Sequence, residues 1–170
     1  FTHHCGLLRR SEDGGDTWSD PQELEARGGN VVVDKGSGDV LILRPADARV
    51  WRSADHGRSW RAEEVEVRPN TMGHGAPGNS PAGLSCSESG ITLQQEAHQG
   101  RLLMPARVQP PNGDNAQENW AWNYNTSIYS DDGGRSWRVG EPVQSGTGEG
   151  TLAELSDGRI YYNSRSEEHT

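Results

Sequence analysis

Glu149 and Arg165 stand sixteen positions apart, with Asp157-Gly158 between them. Their side chains suit complementary tasks. A carboxylate can take a proton from a reacting group, and a guanidinium presents a planar pair of donors that matches another carboxylate. Asp-Gly is a strong two-residue hairpin signal, here flanked by one strand around Leu152 to Leu155 and another around Arg159 to Ser164. Pairing about that turn sets Glu149 opposite Ser166, so Glu149 and Arg165 share the open end of the hairpin. Strict alternation points them to opposite faces. Both reach one pocket only if Glu149 leaves the ladder, which Gly148 and Gly150 on either side permit. The plainer alternatives are a solvated loop acid at Glu149 and a surface ion-pair partner at Arg165.

Other residues carry weaker signals. His3-His4 has no third ligand at a suitable spacing and reads as loop, so no metal is expected. Trp120, Trp122 and Tyr124 alternate at strand spacing; they suit a sugar-stacking platform, but packing between sheets is the favoured reading. Cys5 and Cys86 either form one disulfide or stay free thiols, and they lack the spacing of a zinc site. Asn125-Thr126-Ser127 fits a glycosylation sequon, a triplet common by chance.

The elements that must hold these residues are announced by a repeat. Ser11-Glu12-Asp13-Gly14-Gly15-Asp16-Thr17-Trp18, Ser53-Ala54-Asp55-His56-Gly57-Arg58-Ser59-Trp60 and Ser130-Asp131-Asp132-Gly133-Gly134-Arg135-Ser136-Trp137 all fit S-x-D-x-G-x-[ST]-W. The pattern describes a tight turn: Asp accepts backbone N–H bonds, Gly takes a positive φ, and Trp packs beneath. Apolar, β-rich runs surround the boxes, at residues 6–8, 31–33, 40–43, 50–51, 91–93, 102–104 and 127–129. No long stretch has a helical apolar period, and 22 Gly with 9 Pro would interrupt helices. The chain is therefore expected to be all-β. Successive boxes start 42 and 77 residues apart. A four-stranded propeller blade takes about 40 to 50 residues, so the second gap should hold nearly two blades. The Gly/Pro/Ser-rich stretch from Asn70 to Gly90 reads as a loop or insertion between strands.

Lys and Arg total 16 against 25 Asp and Glu, a formal charge of −9 that disfavours nucleic acid or an anionic membrane as partner. A small anionic ligand is still admitted, because a few local arginines decide a pocket within a Debye length of roughly 8 Å. No apolar run approaches the ~20 residues of a membrane span. The chain opens at Phe1 without a Met and stops in polar sequence, so both ends read as cuts.

The boxes resemble the Asp boxes, or bacterial neuraminidase repeats, of the sialidase family. Residues 149–165 are similar to the family stretch in which a Glu precedes an Arg by sixteen residues with E-L-x-D-G-x-x-x-x-N-x-R between; Glu154-Leu155, Asp157-Gly158, Asn163 and Arg165 all fall in place. Gly90-Ile91-Thr92-Leu93 and Gly100-Arg101-Leu102-Leu103-Met104-Pro105-Ala106 also resemble family strands. The resemblance implies a sialidase-type six-bladed β-propeller, of which residues 1–170 would be an incomplete part of about three to four blades. It implies structural turns at Asp13, Asp55 and Asp132 with Trp18, Trp60 and Trp137, and a structural Glu154.

It further implies an exo-α-sialidase that hydrolyses terminal sialic acid with retention of configuration. Sialic acid carries a carboxylate on its anomeric carbon, which repels a carboxylate nucleophile; the family uses Tyr instead. Glu149 would be the general base to that Tyr, and Arg165 would hold the substrate carboxylate. The family's Tyr comes later in the chain, so Tyr161 and Tyr162 read as strand residues. The family's first arginine and its acid/base Asp have no match here, and the piece alone is expected to be inert. No cofactor is implied. The expected partners are sialylated glycans, in a secreted, periplasmic or lysosomal setting rather than a cytoplasmic one. The competing readings are a non-catalytic Asp-box propeller that binds glycans or proteins, and an Asp-box glycosidase that uses two carboxylates.

Overall fold

The computed structural model describes residues 6–26, 29–71, 83–109, 123–145 and 147–166, apart from the side chains of residues 147 and 166. His3, His4, Cys5, Trp120 and Trp122 lie outside the described residues. The described chain contains β-strands and two single turns of 3-10 helix but no α-helix.

Each apolar run becomes a strand, and each box closes a hairpin. β1 (Leu7–Leu8) and β2 (Gln22–Glu23) pair antiparallel around the first box. β3 (Asn30–Val33), β4 (Val40–Arg44), β5 (Arg49–Ser53) and β6 (Arg61–Glu64) form a complete antiparallel blade in the order 3-4-5-6, with the second box between β5 and β6. The next blade is built on β10 (Leu102–Val108), β11 (Tyr124–Ser130) and β12 (Ser136–Val139), with the third box between β11 and β12. Two short strands, β8 (Leu84–Cys86) and β9 (Ile91–Thr92), both pair with β10 and together supply its other neighbour. β7 (Glu66–Arg68) pairs parallel with β12, and β13 (Gln144–Ser145) pairs with β11. β14 (Thr147–Glu154) and β15 (Ile160–Ser166) form a final hairpin.

The described residues thus hold two four-stranded blades and parts of two more. Between the second and third boxes the described strands β7–β11 belong to one sheet. Residues 72–82 and 110–122 of this interval lie outside the described residues. The stretch from Asn70 to Gly90, expected as loop, contains β8.

Three cores lie between sheets, and they explain the unbroken apolar runs. In β4, Leu41 and Leu43 enter the core shared with β10–β12, whereas Ile42 between them enters the core shared with Leu24, Ala26 and Trp51. In β10, Leu102, Met104, Ala106 and Val108 face the first of these, and Leu103 turns instead to Leu93 and Leu152. A strand with period-2 side chains and a neighbour on each side must be apolar on both faces. Each fully buried Leu or Ile contributes roughly 1.5–3 kcal/mol.

The boxes share one geometry. The Ser hydroxyl donates to the Asp carboxylate at 2.7, 2.7 and 2.8 Å and accepts the N–H of the fifth residue at 2.8, 2.7 and 2.8 Å. The other Asp oxygen accepts the Thr17, Ser59 or Ser136 hydroxyl. Donation from Ser11 and Thr17 holds Asp13 well below the usual carboxylate range, and donation from Ser59 and Ser53 does so for Asp55. At Asp132 partial burial opposes ionisation, yet the bonds from Ser136 and Ser130 still hold it low. The fourth and fifth residues are left-handed in every box, including His56 at φ 61°. The three Trp side chains differ in surroundings: Trp137 is fully buried, Trp60 partly, and Trp18 is 58% exposed. The third box packs on the preceding blade, where Arg52 donates to the Gly133 carbonyl at 2.9 Å while paired with Asp39 and Glu63.

Candidate active site

The turn that carries the Glu and Arg is one residue longer than the dipeptide suggests. Leu155 N–H donates to Arg159 O at 2.8 Å, Gly158 N–H donates to Leu155 O at 3.0 Å, and Gly158 has φ +82°. This is a three-residue loop, Ser156-Asp157-Gly158, with Gly in the left-handed position that such loops require. The ladder therefore pairs Glu154 with Ile160 and Gly150 with Ser164. Extended by one residue, that register brings Glu149 across from Arg165 instead of Ser166.

The ladder breaks at this point. Thr147 pairs with Ser166, and a β-bulge separates that pair from Gly150. Gly148 and Glu149 occupy the bulge, as the flanking glycines had suggested, and Gly148 and Gly150 are buried while Glu149 is exposed. Arg165 Nε donates to Glu149 Oε2 at 2.7 Å, with both side chains more than half exposed. The pair lies in a shallow concavity of about 440 Å³ lined also by Gly150, Thr151, Asn163 and Glu88.

Glu88 escaped sequence reasoning. It lies between β8 and β9 in the preceding blade, sixty-one residues before Glu149, and no local pattern links the two. Thr151 and Asn163 follow from alternation: on β14 and β15 they share a face with Glu149 and Arg165.

The opposite face is structural. Glu154 accepts backbone N–H groups of Gln94 at 2.7 Å and Gln95 at 3.1 Å, which ties the hairpin to the preceding blade and gives this carboxylate its work. Tyr162 is partly buried, its hydroxyl donating to Thr126 O at 3.0 Å, and burial pushes its phenol up to about 12. Tyr161 is exposed. Asn125 of the sequon is fully buried and donates to Ser164 Oγ at 2.5 Å, so its amide is closed to glycosylation in this fold. Tyr124 is fully buried between strands, where its hydroxyl accepts from Asn70; the packing reading applies to it. Cys86 is a free thiol beside the main core, and burial raises it to about 12. Among the described residues no group of three or more His, Cys, Asp or Glu is arranged to hold a metal, and no helix is long and apolar enough to cross a membrane.

Comparison with known proteins bears on the scaffold. The family described as BNR/Asp-box repeat matches residues 128–139, the third box with the strand that enters it. Over 193 aligned positions the chain is 31% identical to a sialidase from Micromonospora viridifaciens, an alignment that covers 94% of this chain and 27% of that protein. The chain thus spans about a quarter of this relative. Among solved structures, the Hadza microbial sialidase Hz136 matches with a TM-score of 0.68 at 19% identity, over 95% of this chain and 35% of its own. A protein of unknown function from Dyadobacter fermentans matches with a TM-score of 0.59 at 20% identity, over 94% and 50%. At such identities the structural matches speak to the fold alone, and fold does not select an activity. The chain is similar in sequence to a sialidase and folds as part of a sialidase-type β-propeller with Asp-box repeats.

Proposed function

We propose that the protein containing this chain is an exo-α-sialidase that releases terminal sialic acid from glycoconjugates with retention of configuration. The observation that carries the proposal is the 2.7 Å pairing of Glu149 with Arg165 at a concave surface, where the register set by the three-residue turn brings residues sixteen apart onto one face. Arg165 is the partner for the substrate carboxylate, for which a guanidinium offers matched donors. A carboxylate arriving there competes for those donors and leaves Glu149 free to accept elsewhere. Glu149 then takes the proton of a Tyr hydroxyl supplied from outside this chain, while the phenol oxygen bonds to the anomeric carbon and the bond to the leaving oxygen breaks. The leaving oxygen takes its proton from an acid also outside this chain, and water later releases the sugar. Glu88, Thr151 and Asn163 supply the remaining polar wall, suited to the hydroxyls of a polyhydroxylated sugar.

The test is turnover of a fluorogenic α-sialoside by the full-length protein. Glu149→Gln should lower the rate by about 10²-fold or more, in the range expected for loss of a general base. Unchanged turnover would remove Glu149 from that role, and binding of sialosides without turnover in the unmodified protein would favour a non-catalytic propeller.

A further inference from the structure

We propose that Tyr162 is a positioning residue that sets the place of Glu149 through Gly150; the catalytic meaning of that placement rests on the sialidase reading, but the mechanical claim does not. Alternation along β15 sends Asn163 and Arg165 to the concavity and Tyr162 and Ser164 to the neighbouring blade. Tyr162 is held there firmly. Its hydroxyl donates to Thr126 O in β11 at 3.0 Å and lies 3.5 Å from Ala106 O in β10, so it bridges two adjacent strands of the next sheet. Two residues on, Ser164 accepts from the buried Asn125 amide of β11 at 2.5 Å. The Tyr162 ring also packs on the cluster of Leu93, Leu103 and Leu152.

The ring occupies the space a side chain at position 150 would need. A Cβ on Gly150 would stand 2.6 Å from Tyr162 Cε1 and 2.7 Å from its Oη, far inside contact distance. The backbone at Gly150 therefore lies against an aromatic ring that two strands of another blade hold in place. Gly150 is the last residue in register before the bulge, and Glu149 is the next residue out. A bulge leaves its residues without ladder bonds of their own, so its aim depends on what braces it. Here the brace is a rigid contact from Thr126 through Tyr162 to Gly150. Because burial favours the neutral phenol, the hydroxyl donates throughout the range in which such an enzyme would work.

The experiment compares the full-length protein with Gly150→Ala, Tyr162→Phe and Tyr162→Leu. Crystal structures read the Glu149–Arg165 separation directly, and steady-state kinetics on an α-sialoside read kcat and KM apart. Gly150→Ala and Tyr162→Leu should separate the pair beyond ion-pair distance and lower kcat on the order of 10²-fold, the cost expected for a displacement of about 1 Å in a catalytic group. KM should change much less. Tyr162→Phe keeps the ring and its packing on Leu93, Leu103 and Leu152 but loses the anchor to Thr126, so it should displace the pair less than Tyr162→Leu and keep more of kcat. An intact Glu149–Arg165 pair in a folded Gly150→Ala or Tyr162→Leu protein would overturn the proposal whatever the activity. A displaced pair in a protein whose unmodified form has no sialidase activity would uphold the brace and refute the sialidase reading. Loss of activity by Tyr162→Phe equal to that of Tyr162→Leu, with the pair in place, would assign the effect to the hydroxyl and overturn the role of the ring.

Discussion

Replacing Gly134 by alanine tests whether an Asp box is secured by its own turn or by the blade it packs on. Gly134 has φ +84°, where a Cβ costs about 1–2 kcal/mol on any L-residue. Its Cβ would also stand 2.4 Å from Leu41 Cδ2 and 3.4 Å from Trp137 Cζ2. Leu41 and Trp137 are both fully buried, so neither can swing into solvent, and overpacking of this kind adds about 1–3 kcal/mol. The two effects together put Gly134→Ala at about 2–5 kcal/mol. Gly15 is the equivalent residue of the first box, with φ +105° and nothing within 4 Å of its Cβ position. Gly15→Ala should therefore cost only the backbone part, about 1–2 kcal/mol. Urea unfolding of the protein followed by tryptophan fluorescence gives both values, and Trp137 itself reports on the third box. If Gly134→Ala destabilised no more than Gly15→Ala, inter-blade packing would not be what distinguishes the boxes.

Two further outcomes follow from the charges. Arg52 is nearly buried, paired with Asp39 and Glu63, and bonded to the third box; Arg52→Ala should cost about 1–3 kcal/mol by leaving the partly buried Asp39 carboxylate and the Gly133 carbonyl without this donor, while Glu63 keeps Arg61. Arg101→Ala breaks an exposed pair with Asp131 and should cost at most about 1 kcal/mol, although Arg101 also stacks on Tyr129; the same urea titration separates them. The box carboxylates make stability depend on acid: Asp13, Asp55 and Asp132 are depressed in the fold, so their contribution is complete above the unfolded carboxylate value of about 4 and is lost as pH falls below it. Acid unfolding should begin below about pH 4, and Asp55→Asn should flatten that limb while lowering stability at neutral pH. An acid limb unchanged by Asp55→Asn would show that other carboxylates govern it.

Local physical chemistry carried most of the scaffold into the sequence. The boxes were readable because Asp, Gly and Trp each do one thing in a turn that no neighbouring blade needs to enforce, and their hydrogen bonds are contained within eight residues. The strands were readable because side chains buried on both faces leave unbroken apolar runs, as in Val40–Arg44 and Leu102–Val108. The relation of Glu149 to Arg165 was readable for the same reason: one hairpin joins them, so it is short in the chain.

What the tertiary structure decided is of another kind. The loop at Ser156-Asp157-Gly158 took three residues instead of two, and that single step moved Glu149 from opposite Ser166 to opposite Arg165, because a strand's facing reverses with each residue of register. In the 77-residue interval between boxes the described strands β7–β11 join one sheet, since length between turns does not say how much of it pairs. Glu88 joined the concavity and Asn125 left the surface through packing against other blades. The sequence by itself determined turns, strands and the spacing of Glu149 and Arg165, all set by interactions within a hairpin. Register, burial and the second acid of the concavity depended on partners from other sheets, and those contacts exist only once the blades stand side by side.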